Sequence, residues 1–248
     1  AVHAFLLDLA EQPFDLPAAP PWRSYLGRVD ARTHLLVTVF HHILIDVVGS
    51  AIFLDDLAAC YRGEAAALPP SPIQYTAYAA ADRARGPQIA QDLEQWRQRL
   101  AGASRSLTLP LRSAERAPEV PRRGQYRFSI DANLASALER LARQHHSSLF
   151  GAMTAALAVS LSRIGGDAEL VLHIIKSTRR QPEVARTVGV MVDTMLLRVD
   201  LAAPPTFADL LHQLREELQW GFARPVPHFE LARVLGDQAR TGYSGEIA

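Results

Sequence analysis

A mixed α and β fold follows from three features of this sequence. A β-branched, nearly unbroken apolar run lies at His34–Phe40, apolar residues recur at helical spacing in several long stretches, and strand-like and helix-like segments alternate through the second half. With 248 residues the chain is long enough for one large domain or for two lobes, each with its own core.

The elements are expected in the following order. Residues 1–12 carry Phe5, Leu6 and Leu9 at helical spacing, with no N-terminal cap, as though the chain began inside a helix. Pro13, Pro17, Pro20 and Pro21 then make an extended connector. A short strand over 25–29 precedes His34–Phe40, whose continuous apolar character suits a strand buried on both faces. Residues 48–61 regain helical spacing through Ile52, Phe53, Leu57 and Tyr61. Pro69, Pro70 and Pro72 mark a linker to a long helix over 74–100, broken near Gly86-Pro87.

Residues 102–122, rich in Pro, Arg and Ser, read as an exposed loop, and the lobe boundary is placed there, giving 1–110 and 111–248. Residues 125–130 alternate like a strand. Asp131 caps a helix to about Gln144, Ser147 caps a more buried one to about Arg163, and Gly165-Gly166 ends it. Strands are expected over 169–175 and 190–199. Thr206 opens an amphipathic helix to about Phe222, and a short helix follows over His228–Leu235.

Composition excludes several function classes. Apolar residues make up 48% and charged residues 21%, the profile of a globular domain, and the formal net charge is zero. No basic surplus suggests a nucleic-acid footprint. The longest apolar stretch, 149–161, is short for a membrane span and contains Thr154 and Ser160, so no membrane role is expected. The opening residues lack a basic n-region and carry Asp8 and Glu11, unlike a secretory signal. The single cysteine, Cys60, permits no internal disulfide and fits a reducing, cytoplasmic setting. It sits in Leu57-Ala58-Ala59-Cys60-Tyr61, which reads as a helix face turned to the core.

One cluster stands out chemically. His41-His42-Ile43-Leu44-Ile45-Asp46 follows a predicted strand and precedes a predicted helix, where folds present side chains to a cleft. A histidine there can take or hold a proton near neutral pH. Taken alone, the pattern reads as two hydrogen-bonded histidines beside a helix-capping aspartate. His145-His146 lies at a predicted helix end, where cations suit the dipole, and no partner at metal-ligand spacing accompanies it, so no metal is expected. Arg122-Arg123 reads as a solvated basic pair.

The wider context changes that weighting. Phe40-His41-His42-Ile43-Leu44-Ile45-Asp46 resembles the HHxxxDG signature of nonribosomal peptide synthetase condensation domains. These belong to the chloramphenicol-acetyltransferase-like superfamily. Pro13-Phe14-Asp15-Leu16, Pro72-Ile73-Gln74-Tyr75-Thr76-Ala77-Tyr78, Trp96-Arg97-Gln98-Arg99-Leu100-Ala101-Gly102-Ala103, Val188-Gly189-Val190-Met191-Val192-Asp193-Thr194 and Pro227-His228-Phe229-Glu230 resemble further family motifs in the same order. The resemblance spans nearly the whole chain.

This resemblance implies a two-lobed, V-shaped fold, here incomplete at both ends. It implies amide-bond formation between two thioesters delivered on the phosphopantetheine arms of upstream and downstream carrier proteins, among neighbouring synthetase domains and with no intrinsic cofactor. His42 matches the central active-site histidine and His41 a supporting one. Asp46 matches a loop-holding aspartate whose arginine partner falls on Arg179, a pair that would bridge the lobes. The backbone of Val47 is a candidate oxyanion donor.

The sequence departs from the family pattern in three places within the matched motifs. Val47 stands in place of a glycine, His173-Ile174-Ile175-Lys176-Ser177-Thr178 in place of a small-residue run, and Asp193 in place of an asparagine. Arg179, with Arg180 and Lys176 beside it, would otherwise read as a solvated loop residue. Heterocyclisation domains have aspartate where this chain has His41, which argues against cyclisation. Two other readings stay open: a stand-alone acyltransferase of the same superfamily using a small thioester, and a degenerate module that docks carriers without chemistry.

Overall fold

A computed structural model gives the fold. It describes residues 6, 8–9, 11–18, 20–70, 73–103, 107, 109, 126–202 and 206–235. The chain forms two compact units, Ala1–Gly86 with Lys176–Asp193, and Pro87–Ile175 with Thr194–Ala248. Each unit combines segments distant in sequence. The expected division at residue 110, most of the helix over 1–12, the loop over 102–122 and Arg122-Arg123 fall largely outside the described residues.

In the first unit, β1 (Trp22–Arg28) and β2 (His34–Phe40) pair antiparallel, with Trp22 opposite Phe40 and Arg28 opposite His34. Their turn is held by Asp30, whose Oδ1 accepts from the amides of Arg32 and Thr33, both at 2.8 Å. β2 has the expected limits but not the expected burial. Its first three residues are exposed and the rest half-buried. An unbroken apolar run shows only that no polar face is specified, and among the described residues β2 pairs only with β1.

Phe40, at the end of β2, stacks on Trp22 and packs edge-on against Phe53 at 5.1 Å, anchoring the strand end to α1 (Val47–Tyr61). α1 turns Gly49, Ile52 and Ala59 inward. Cys60 is exposed, contrary to expectation, because it lies about 100° around the helix from the buried Ala59. α2 (Tyr75–Arg83) follows, and the break before α3 (Gly86–Arg99) covers Ala84 and Arg85, beside the expected Gly86-Pro87. Proline is tolerated in a first turn, whose amides lack partners anyway.

The second unit takes in α3 from Pro87 onward, α4 (Ala132–Gln144), α5 (Leu149–Gly165), α6 (Phe207–Ala223) and α7 (His228–Leu235). β3 (Glu169–Ser177) and β4 (Val192–Asp200) pair with each other. One core cluster joins Ala152, Ala155 and Ala158 of α5 to Leu197, Val199, Leu210, Leu211 and Leu214. Burying each such leucine contributes about 1.5–3 kcal/mol. A second cluster centres on Trp96, whose indole N–H donates to the Arg224 carbonyl at 3.0 Å and whose ring meets Trp220 edge-on at 4.7 Å.

The helix caps follow the sequence closely. Asp131 accepts from the amides of Asn133 and Leu134, and Thr206 forms a capping box with Asp209. Ser148, not Ser147, caps α5, and Gly166 ends it in the left-handed conformation. Tyr126–Ile130 is not a strand but an exposed stretch without regular structure. Alternation predicts a strand only where a partner edge exists, and none pairs with this segment among the described residues. No single described helix is long and apolar enough to cross a membrane.

Candidate active site

The loop from His41 to Asp46 leaves β2 and enters α1. Its entry is fixed by the His41 amide, which donates to the Pro21 carbonyl at 2.8 Å. Its exit is fixed by Asp46, the N-cap of α1, whose Oδ1 accepts from the Gly49 amide at 2.7 Å.

The two histidines do different things. His42 Nδ1 lies 2.9 Å from the Ile45 carbonyl, so that nitrogen carries the proton and donates. In the tautomer that this contact selects, the lone pair is on Nε2. His41 Nδ1 instead accepts from the Ile43 amide at 3.1 Å, and the His41 ring stands edge-on to Phe14 at 6.0 Å. His42 lines an open pocket of about 310 Å³ with Phe40, Ile45, Asp46, Val47 and Ser50, and His41 is not part of its lining.

Asp46 is almost wholly buried, and Arg179 reaches it from 133 residues away in sequence but within the same compact unit. Nη1 donates to Oδ2 at 2.6 Å and Nη2 to Oδ1 at 2.9 Å. Nη2 also meets the carbonyls of Thr187 and Gly189 at 3.0 and 3.3 Å, and the Met191 amide donates to Asp46 Oδ2 at 2.9 Å. Burial alone would push the Asp46 carboxyl up. The hydrogen bonds from Arg179, Gly49 and Met191 outweigh it and hold the carboxyl below its ordinary range. Asp46 is therefore ionised and committed, a fixed strut rather than a proton carrier.

Val47 is the first residue of α1 and has a right-handed backbone; His146 is the only non-glycine residue with positive φ among those described. The valine in the glycine position thus carries no backbone strain. The close approach falls elsewhere, at Gly49 and Gly189. A Cβ on Gly49 would press on Ile45 and the Asp46 carboxylate, and one on Gly189 would collide with the ring of Tyr75. Thr187 donates to the Ile73 carbonyl at 2.7 Å, so the segment around Tyr75 and the segment before Met191 are joined behind the loop.

Sequence reasoning missed the packing roles of Gly49 and Gly189, the Met191 amide and the pocket wall of Phe40. It also gave Lys176 no partner. Lys176 is buried in β3, and its Nζ lies 3.4 Å from Asp193 Oδ2. Two departures from the family pattern are therefore one ion pair, and the opposite charges at both were the available signal. Among the described residues no group of three or more His, Cys, Asp or Glu is placed to hold a metal.

An α and β fold that buries an Arg-clamped aspartate beside a pocket histidine defines the class: a chloramphenicol-acetyltransferase-like fold. Comparison with known proteins gives the family. The condensation domain model matches residues 1–241, and the chain belongs to the condensation-domain family. It is 34% identical over 222 residues to the isonitrile lipopeptide synthase of Mycobacterium tuberculosis, covering 84% of this chain and 9% of that protein. It is 30% identical over 242 residues to one linear gramicidin synthase polypeptide of Brevibacillus parabrevis, covering 95% of this chain and 3% of that one. Among solved structures it matches the X-domain in complex with OxyB from teicoplanin biosynthesis, with a TM-score of 0.81, 27% identity, and coverage of 94% of this chain and 54% of that one. The first condensation domain of the calcium-dependent antibiotic synthetase shares the fold, with a TM-score of 0.73 at 20% identity. The chain thus spans about half the length of these solved chains and a small part of the synthetases.

Proposed function

We propose that this chain supplies the histidine side of a condensation site, which forms an amide between two carrier-bound thioesters. The observation that carries the reading is the hydrogen bond of His42 Nδ1 to the Ile45 carbonyl, which orients this pocket-lining ring on a loop pinned by Asp46 and Arg179.

In this reaction the acceptor's α-amine attacks the donor's thioester carbonyl, a C–N bond forms, the C–S bond breaks and the donor thiol leaves. An α-amine has a pKa of about 8, so a fair fraction of it is already neutral near about pH 7.5. His42 therefore acts chiefly by orienting the amine and taking its proton as the zwitterionic intermediate forms, then returning it towards the leaving thiolate. The developing oxyanion needs donors. The amides of Gly49 and Ser50 already serve Asp46, which leaves those of Val47 and Val48 at the positive end of α1 as candidates. His41 supports the loop through Ile43 and Phe14.

The reading extends to carrier proteins presenting both substrates on phosphopantetheine, to neighbouring synthetase domains and to a cytoplasmic setting. It also keeps the expected lobe division near residue 110. The test is single-turnover condensation by the synthetase that contains this chain, followed by intact-protein mass spectrometry. Product on the acceptor carrier that is lost with His42→Ala supports the reading. Product formed equally by both proteins removes His42 from it, and carriers that bind without product favour a docking module.

A further inference from the structure

Lys176 and Asp193 place opposite charges inside the first unit, at two positions where the family pattern has uncharged residues. Their side chains are only 4% and 19% exposed, and Nζ lies 3.4 Å from Oδ2. A pair of this kind is costly to desolvate, and apolar residues of similar volume often stabilise a fold as well or better. What a buried charged pair supplies is selection of one register among several.

The sequence around the pair specifies register weakly. Ile174-Ile175 precede Lys176, and Val190-Met191-Val192 precede Asp193. Neither run alternates with polar residues, so a one-residue slip would still set apolar side chains against apolar ones. The same slip would take the buried ammonium away from its counter-charge, which is costly.

The register bears directly on the His42 loop. The Thr178 amide donates to the Met191 carbonyl at 2.8 Å, two residues from Lys176 on one strand and two from Asp193 on the other. The Met191 amide in turn donates to Asp46 Oδ2 at 2.9 Å, and Arg179, next to Thr178, holds both Asp46 oxygens. The two strand ends bracketed by the ion pair therefore deliver two of the donors to Asp46. A slip moves a strand by about 3.3 Å per residue, more than a hydrogen bond tolerates.

Resting on the condensation reading above, we propose that Lys176 and Asp193 are positioning residues. Their ion pair locks β3 and β4 in the register that brings Arg179 and the Met191 amide to Asp46, and through Asp46 it holds the loop that carries His42.

The experiment uses the synthetase that contains this chain and the double variant Lys176→Met/Asp193→Asn, which removes both charges and strands neither. Hydrogen-exchange mass spectrometry follows peptides covering Gly49 and Met191, whose amides both donate to Asp46. Single-turnover condensation is measured on the same preparations. The double variant should unfold at or above the wild-type midpoint. It should nevertheless lose protection at Gly49 and Met191, and its kcat should fall by about 10–10²-fold with KM for the acceptor carrier unchanged. The reversed pair Lys176→Asp/Asp193→Lys should recover protection and turnover together. Wild-type protection and kcat in the neutral variant, or protection lost evenly across the domain, would overturn the proposal. If wild type forms no amide while protection at Met191 still depends on the pair, the condensation reading falls and the register role stands.

Discussion

Arg179 holds Asp46 through both terminal guanidinium nitrogens, with side chains only 5% and 2% exposed. The pair fixes the point where the histidine loop becomes a helix. Asp46 also caps α1 and receives the Met191 amide, so three segments of one unit converge on a single carboxylate. Removing either partner strands a buried charge.

Asp46→Ala and Arg179→Ala should each destabilise the domain by about 3–5 kcal/mol. The double variant should cost clearly less than the sum, read from denaturant unfolding. Additive losses would mean that the two side chains do not interact. The pH dependence has a definite sign. The folded carboxyl lies below its ordinary value, so its contribution is complete above roughly pH 4 and is lost as pH falls through the depressed folded value. The stability difference between wild type and Asp46→Asn should therefore shrink only below that pH.

His42→Gln should leave the unfolding midpoint near wild type and lower condensation by about 10²–10⁴-fold, because the ring is exposed and makes one backbone contact. His41→Ala should instead disturb the loop through Ile43 and Phe14, lowering both stability and turnover. Unfolding and single-turnover measurements on the same preparations separate the two.

Gly189→Ala should destabilise by about 1–3 kcal/mol or more, since its methyl group would enter the ring of Tyr75. Adding Tyr75→Ala should recover part of the loss. The Gly189 carbonyl accepts from the Asp46 amide and from Arg179, so the same variant should also lower turnover. No recovery on adding Tyr75→Ala would place the strain elsewhere.

In the second unit, His173 stands on β3 as an exposed residue, and its ring lies 5.8 Å from that of His228. Desolvation first, and then the neighbouring His228, hold its pKa below the usual 6.5. The unfolded chain takes up this proton before the folded one does. Stability should thus be full above about pH 6.5 and decline as pH falls towards the depressed folded value. His173→Gln should flatten that part of the profile, measured by denaturant unfolding at about pH 7.5 and about pH 5.5, either side of the ordinary histidine value.

The sequence by itself determined where the elements lie and which family the chain resembles. β2, α1, α6 and α7 matched their expected limits to within a residue or two, because caps such as Asp131 and Thr206 and the apolar period are local properties. The family motifs also pointed to Arg179 for Asp46, which composition would have left as a solvated arginine. Only the tertiary structure decided burial and partnership. Cys60 turned outward, the segment Tyr126–Ile130 gained no strand partner among the described residues, and Lys176 met Asp193 in the interior. Those outcomes depend on what packs against a residue rather than on its neighbours in the chain. The same holds for the tautomer of His42, which is set by a carbonyl three residues on that only the folded loop brings to 2.9 Å.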